Sequence, residues 1–93
     1  MAIVSFASTE TETLFGTGKS RKFGNIVAVA LRKLDMLAAA AALEDLRSPP
    51  GNRLEVLKGG RKGQHSVRIN DQFRVCFTWT SSGPADVEIV DYH

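Results

Sequence analysis

The sequence predicts an α+β fold, with helices in the N-terminal half and an antiparallel sheet in the C-terminal half. Between residues 25 and 47, apolar side chains recur at three- and four-residue steps, which is the period of a helix. From residue 54 onwards they alternate with polar side chains, which is the period of a strand. The two patterns meet at Pro49-Pro50-Gly51, where proline removes a backbone donor and restricts the residue before it.

The N-terminal segment predicts one strand and one helix. Ile3–Phe6 is typical of a short strand, and Thr9–Phe15 of a short helix that stops at Gly16. Ser8 or Thr9 can cap this helix, because a hydroxyl there accepts from free backbone N–H groups. Acidic residues in the first turns also suit the helix dipole.

Residues 25–47 are predicted to be helical, with Asn25 as the N-cap. The apolar stripe consists of Ile26, Val27, Ala30, Leu34 and Leu37, and charged residues fall on the other face. The alanine run at 38–42 continues the helical propensity. Two alternatives remain open, a single helix and two helices in a hairpin with a break near Met36–Ala39.

Four strands are predicted in the second half of the chain, and short turns between them favour antiparallel pairing. The first begins at Leu54, and a mobile basic turn at Gly59–Gly63 separates it from the second, His65–Ile69. The third covers Phe73–Trp79, and the fourth covers Asp86–Val90.

Alternation along these strands predicts which side chains share a face. The face towards the helices is predicted to carry Val67, Ile69, Phe73, Val75, Phe77, Trp79, Val87 and Ile89. The opposite face then carries Arg68, Arg74, Cys76, Thr78, Glu88, Val90 and Tyr92. We therefore expect an open sheet face with two guanidinium groups and a phenol, with His93 at its rim, and we expect the function to lie there.

The composition is that of an ordinary globular protein, with 43% apolar and 24% charged residues, and 93 residues predict one domain, 1–93. No run of 18 apolar residues predicts a membrane span, and the N-terminus lacks the pattern of a secretory signal. Cys76 is the single cysteine, which favours a reducing compartment and a cytoplasmic location. No Cys, His or carboxylate cluster has metal-ligand spacing, so we expect no metal and no cofactor.

The net charge of +2 conceals an uneven distribution. Residues 53–74 contain six Lys or Arg against Glu55 and Asp71, whereas residues 75–93 contain three acidic residues and no Lys or Arg. A basic middle followed by an acidic end is compatible with a site for a polyanion and a proton acceptor. A solvated basic surface with no ligand is the alternative for such a charge run.

Residues 50–93 resemble a known family. The matching segments are Pro50-Gly51-Asn52-Arg53-Leu54-Glu55, Leu57-Lys58-Gly59, Gly63-Gln64, Arg68-Ile69-Asn70-Asp71-Gln72-Phe73-Arg74-Val75-Cys76-Phe77 and Val87-Glu88-Ile89-Val90-Asp91-Tyr92-His93. They resemble the HigB-type toxins, or plasmid maintenance killer proteins, of the RelE/ParE superfamily. The resemblance implies a RelE-like fold, in which two to three N-terminal helices pack on a twisted antiparallel sheet of four to five strands.

The resemblance also implies an activity and partners. It implies a toxin of a type II toxin–antitoxin system that cleaves translated mRNA in the ribosomal A site by metal-independent acid–base catalysis. The implied partners are a HigA-like helix-turn-helix antitoxin, the ribosome with its mRNA, and operator DNA through the antitoxin complex, without a membrane. The alternative is a non-catalytic binding module of the same superfamily, either a ParE-like gyrase inhibitor or an antitoxin-binding co-repressor.

The residues predicted to be functional fall into two groups. The catalytic group is Arg74, Asp91, Tyr92 and His93, and the RNA-binding group is Lys58, Arg61, Lys62 and Arg68. Arg74 suits phosphate oxygens because its guanidinium is a planar fork. His93 is the candidate acid or base because the pKa of an imidazole lies near neutrality. Some members carry a catalytic histidine where this chain has Glu55.

Two further side chains are predicted to be structural. His65 shares the parity of Val67 and Ile69, so a packing role is expected for it. Cys76 is expected to be a small strand side chain and not a nucleophile, because no basic group is clearly paired with it.

Overall fold

The computed structural model describes residues 2–92 and has the predicted α+β fold. Its two α-helices are α1 (Thr9–Thr17) and α2 (Val27–Ala39), and its four strands are β1 (Glu55–Val56), β2 (His65–Arg68), β3 (Phe73–Thr80) and β4 (Gly83–Asp91). The strands form one antiparallel sheet in the order β1-β2-β3-β4. Each strand therefore pairs with its neighbour in sequence, as the short turns predict.

Helix α1 begins as predicted and ends later than predicted. The hydroxyl of Ser8 caps it by accepting from the backbone N–H of Thr11 at 3.1 Å. The predicted stop at Gly16 is wrong, because the helix continues to Thr17. Gly18 ends it in the left-handed conformation, with φ 72°, and donates its N–H to the Leu14 carbonyl at 2.8 Å.

The helical stretch at 25–47 is interrupted at Ala40, which is extended, one residue beyond the predicted break. A single long helix is therefore excluded, and the segment that follows is a 3-10 helix at Leu43–Arg47 instead of a second α-helix. The carboxylate of Asp45 accepts from the backbone N–H groups of Ala41 and Ala42 at 2.9 and 3.1 Å, which holds the start of this turn. The predicted N-cap Asn25 is wrong, because a 3-10 turn at Gly24–Ile26 leads into α2.

The predicted strand Ile3–Phe6 is present as a single parallel bridge, in which Phe6 pairs with Val87 of β4. Its backbone nevertheless follows β4 closely. Val4 donates to the Pro84 carbonyl at 2.7 Å, and Val87 donates to the Ser5 carbonyl at 3.1 Å. The N-terminal segment thus covers the outer edge of β4.

The core lies between the helices and one face of the sheet. Its fully or nearly fully buried members include Leu14, Ala30, Leu34, Leu37, Val67, Val75, Phe77, Val87 and Ile89. The predicted core residue Trp79 packs against this cluster but is only partly buried. It lies near the end of the β3–β4 hairpin, opposite Pro84.

The strand register confirms the predicted parity of the opposite face. Arg74 lies between Arg68 of β2 and Val90 of β4, and Cys76 lies opposite Glu88. The register shifts between Cys76 and Thr78, where Asp86 has a positive φ of 52°. This bulge lies before Val87, so the inward and outward residues of the rest of β4 keep the predicted alternation.

No helix formed by residues 2–92 is long and apolar enough to cross a bilayer.

Replacing Thr11 by Val tests how α1 is attached to the sheet. The Thr11 hydroxyl is fully buried and accepts from the backbone N–H of Ile89 at 3.0 Å. Valine has nearly the same shape but leaves this N–H without an acceptor, so we expect a loss of about 1–3 kcal/mol in the free energy of unfolding. Urea denaturation measures it, with exposed Thr13→Val on the same helix as the control. Equal losses for the two variants would contradict the assignment.

Candidate functional site

A pocket of about 190 Å³ lies beside the β2–β3 end of the sheet, on the face away from the helices. Its lining side chains come from the segment around β1, the β2–β3 turn, β3 and the C-terminal residues: Arg53, Glu55, Arg68, Asn70, Asp71, Arg74 and Tyr92. Three residues that the sequence predicts to be functional, Arg68, Arg74 and Tyr92, therefore meet at one place.

Arg74 lies at the bottom of this pocket, and it is only 8% exposed. Its Nε donates to the Ser66 hydroxyl at 2.7 Å, and its Nη2 donates to the main-chain carbonyl of Arg53 at 2.6 Å. The remaining nitrogen, Nη1, lies 3.8 Å from the carboxylate of Glu55. Two of the three nitrogens are thus used to fix the guanidinium plane, and the third faces a half-exposed carboxylate.

The expectation of an open sheet face is wrong at Arg74. The segment that contains Arg53 and Glu55 folds over this face, and the Ser66 and Cys76 side chains beside Arg74 are fully buried. A buried guanidinium requires hydrogen-bond acceptors, because desolvation without them is costly. Ser66 and the Arg53 carbonyl supply these acceptors.

Arg68 lies on the rim of the pocket in an ion pair with Asp71, whose side chain is fully exposed. The turn that carries Asp71 is built by Asn70, whose side-chain oxygen accepts from the backbone N–H groups of Gln72 and Phe73, both at 2.8 Å. This arrangement is the Asx-type turn that asparagine favours. It brings a second guanidinium to the same pocket as Arg74.

The C-terminal residues are divided between two sides of the sheet end. Tyr92 is 42% exposed and lines the pocket, and its backbone N–H donates to the Gln72 carbonyl at 2.6 Å. Asp91 lies opposite Phe73, and its carboxylate accepts from the side-chain amide of Gln72 at 3.0 Å. It does not line the pocket. His93 lies outside the described residues, so its closeness to Arg74 stays a prediction.

The basic turn forms a second, more open pocket of about 560 Å³ on the same sheet face. Its lining consists of Gly60, Arg61, Lys62, Gln64 and Thr78. Arg61 is held there by Glu88 at 3.0 Å and by the Gln64 side chain at 3.1 Å. Lys58 and Lys62 are exposed. Of the four residues predicted to bind RNA, only Arg68 thus lines the Arg74 pocket.

Cys76 is completely buried, and burial raises the pKa of its thiol above the ordinary value. The nearby Glu88 carboxylate also raises this pKa, while Arg61 and Arg74 act in the opposite direction. A thiol that stays protonated and out of contact with solvent is a poor nucleophile. This supports the structural role expected for Cys76.

His65 lies on the core side of the sheet, where its ring stacks on Phe77 with 6.2 Å between centroids. This confirms its predicted parity. Its Nδ1 atom is buried and has no hydrogen-bond partner among the described residues. The ring also lines a cleft of about 240 Å³ formed with the 3-10 helix at 43–47 and with β1.

Three groups that contact Arg74 were absent from the predicted site. Glu55 was noted only as a departure from the family, although it is the carboxylate next to Nη1. Ser66 shares the parity of Arg68 and Arg74, so alternation alone could have placed it on this face. The Arg53 carbonyl had no signal in the sequence, because it depends on a left-handed backbone with φ 45°.

No group of three or more His, Cys, Asp or Glu side chains within residues 2–92 is arranged to hold a metal ion.

Comparison with known proteins identifies the family. The family model described as "RelE-like toxin of type II toxin-antitoxin system HigB" matches residues 4–93. The chain belongs to this HigB-like toxin family. The resemblance seen in residues 50–93 thus extends to residues 4–93.

Individual relatives agree with this assignment. The chain is 56% identical over 48 residues to Toxin HigB-1 of Vibrio cholerae, a match that covers 52% of this chain and 50% of that protein. It is 37% identical over 68 residues to an uncharacterized protein of Haemophilus influenzae, covering 73% of this chain and 67% of the relative. The alignment therefore spans only about half the length of the Vibrio toxin.

A solved structure supports the fold independently. The YoeB/ParE toxin from Agrobacterium tumefaciens superposes with a TM-score of 0.52 over 100% of this chain and 99% of its own, at 22% sequence identity. At that identity the likeness extends to the fold alone, which is the RelE/ParE-like arrangement of helices on an antiparallel sheet.

The buried thiol of this HigB-like chain gives a direct test of the covered sheet face. We expect Cys76 to react with a disulfide reagent such as dithionitrobenzoate far more slowly in the native protein than in urea, because both burial and its raised pKa disfavour the thiolate. The release of the coloured thiolate measures the rate. A native rate equal to the unfolded rate would show that the face is open.

Proposed function

We propose that this chain is the toxin of a type II toxin–antitoxin system and that it is a ribosome-dependent endoribonuclease, which cleaves translated mRNA in the A site. The family supports a toxin in general. The observation that carries the enzymatic part is the buried Arg74, whose guanidinium plane is fixed by Ser66 and the Arg53 carbonyl beside Tyr92 and Arg68. Preorganised donors of this kind stabilise the charge that develops in a transition state.

The proposed reaction needs no group beyond the protein and the RNA. The 2′ oxygen attacks the adjacent phosphorus, the bond from phosphorus to the 5′ oxygen breaks, and a 2′,3′-cyclic phosphate and a 5′-hydroxyl result. A base takes the 2′ proton, and an acid protonates the leaving 5′ oxygen. Such positioned acid–base groups typically contribute about 10²- to 10⁴-fold each.

Roles follow from the chemistry of each side chain. Arg74 binds the scissile phosphate and stabilises its developing charge, and Arg68 adds positive charge on the rim. Tyr92 stacks on a base or donates its hydroxyl. Proton transfer falls to His93, with Asp91 orienting it, and the Glu55 carboxylate beside Arg74 is a further candidate acceptor.

The remaining predicted RNA-binding residues are proposed to hold the message or ribosomal RNA through their charge. Lys58, Arg61 and Lys62 lie around the Gly59–Arg61 turn, and the Glu88 carboxylate partly neutralises this cluster through Arg61. Contacts with phosphates release counterions, so their contribution falls as salt rises.

The partners proposed for this toxin are a HigA-like helix-turn-helix antitoxin, the ribosome with its mRNA, and operator DNA reached through the antitoxin complex. A cytoplasmic location follows from these partners.

A second function has specific support. Arg74, Arg61 and Arg68 each have a carboxylate within 4 Å, namely Glu55, Glu88 and Asp71. Cations that are already paired with carboxylates are less available to bind an RNA phosphate. This favours a non-catalytic binding module, either a ParE-like gyrase inhibitor or an antitoxin-binding co-repressor. Primer-extension mapping after brief expression separates the functions, because discrete breaks in translated messages support the enzyme and intact messages with stalled replication support gyrase inhibition.

Replacing Arg74 by Ala tests the role of the buried guanidinium. We expect the rate of message cleavage on ribosomes to fall by about 10²- to 10³-fold, since a fixed donor to the developing charge is lost. Arg32→Ala is the matched control, because Arg32 is exposed on α2 and does not line the pocket. Comparable losses in the two variants, measured on equally folded protein, would refute the assignment.

Replacing His93 by Ala tests the predicted acid–base group. We expect relief of growth inhibition and loss of discrete message breaks, while the unfolding midpoint stays close to that of the unmodified protein. Growth curves and transcript mapping, run side by side with the unmodified toxin, measure the effect. Undiminished killing by His93→Ala would remove this residue from the mechanism.

A further inference from the structure

Asn52 is a fully buried polar side chain that joins three parts of the chain. Its amide nitrogen donates to the main-chain carbonyls of Leu46 and Ser48, at 3.2 and 3.3 Å. Its amide oxygen accepts from Nζ of Lys33 on α2 at 2.5 Å. One amide therefore ties the helix layer and the 3-10 segment to the residues that lead into β1.

The next residue along the chain forms one of the two anchors of Arg74. Arg53 has a left-handed backbone with φ 45°, and its carbonyl accepts from Nη2 of Arg74 at 2.6 Å. Residues other than glycine rarely adopt this conformation, because their Cβ atom clashes with the backbone, and it persists only where surrounding contacts enforce it. The buried hydrogen bonds of Asn52, one peptide bond away, are contacts that can enforce it.

We propose that Asn52, oriented by Lys33, is a positioning residue for the proposed cleavage reaction, which acts by fixing the Arg53 carbonyl and through it the guanidinium of Arg74. This inference rests on the proposed function. It adds a residue that does not line the Arg74 pocket.

The geometry explains why a single anchor is insufficient. The Ser66 hydroxyl holds Nε at 2.7 Å, whereas the Ser66 carbonyl accepts from Nη2 only at 3.4 Å, which is a long hydrogen bond. The Arg53 carbonyl, at 2.6 Å, is the closer acceptor of Nη2 and restrains the guanidinium plane most strongly, which leaves Nη1 as the nitrogen facing Glu55. Displacing the carbonyl changes the direction in which Nη1 points. Small errors in the position of a catalytic donor lower the reaction rate strongly.

Lys33 contributes by selecting the orientation of the amide. Its ammonium group bonds the oxygen of Asn52, which directs the nitrogen towards the Leu46 and Ser48 carbonyls. Burial, and the positive charges of Arg32 and Arg68, lower the pKa of Lys33. The Asn52 oxygen thus gives the Lys33 ammonium group a hydrogen-bond acceptor close to two other positive charges.

The test is a double-mutant cycle on single-turnover cleavage of a ribosome-bound message. We expect Asn52→Ala to lower the cleavage rate by about tenfold to a hundredfold at saturating ribosomes. In an Arg74→Lys background, the same change should lower the rate by less than about twofold, because residues that act as a unit are not additive. Thr11→Val is the control for lost stability, since it removes a buried hydrogen bond elsewhere.

Additive losses in the cycle, or an unchanged rate in Asn52→Ala, would overturn the proposal. If Asn52→Ala does not fold, Lys33→Met takes its place in the same cycle, because it keeps the aliphatic stem and removes the donor. The expected pattern is then a smaller loss that again disappears in the Arg74→Lys background, and additivity again overturns the proposal.

A measurement without cleavage separates this inference from the proposed function. We expect the Nε–H proton of Arg74 to exchange slowly with solvent in the unmodified protein and faster in Asn52→Ala or Lys33→Met, as followed by NMR, with Thr11→Val unchanged. If the unmodified chain cleaves no message but this pattern appears, the proposed function fails and the positioning of Arg74 stands. An Nε–H proton that none of these changes affects rejects the positioning role.

Discussion

The structure depends on the placement of one guanidinium inside the sheet face that the helices do not cover. Arg74 occupies the middle of three strands, between Arg68 and Val90, where an uncompensated charge would oppose folding. The fold accommodates it with two acceptors, the Ser66 hydroxyl and the Arg53 carbonyl. The path of the chain between the helices and β1 is therefore set partly by this side chain.

The fold was largely predictable because the helical period of the apolar residues marks the helix layer and their alternation marks the sheet. Three- and four-residue steps placed Ala30, Leu34 and Leu37 on one side of α2, and alternation placed Val67, Val75 and Phe77 against them. Direct partners across strands share a face, so the same alternation put Arg68 and Arg74 together. The family resemblance then gave these side chains a chemical meaning that alternation alone does not provide.

The features of the fold that periodicity and alternation missed depend on particular contacts, some local and some between segments that are distant in sequence. The covering of Arg74 depends on Arg53 adopting a left-handed conformation, and the break at Ala40 accompanies backbone bonds to Asp45. Local propensity is a weak guide to such features, because tertiary contacts override it.

The N-terminal segment also affects how copies of this chain meet in a crowded cell. An antiparallel sheet has two outer strands whose unpaired backbone groups can recruit another polypeptide and start aggregation. Here residues 4–7 bond along β4, and β1 at the other border is only two residues long. Among the described strands, few backbone groups at the two borders of the sheet are therefore free to pair with another chain, which disfavours growth into fibrils.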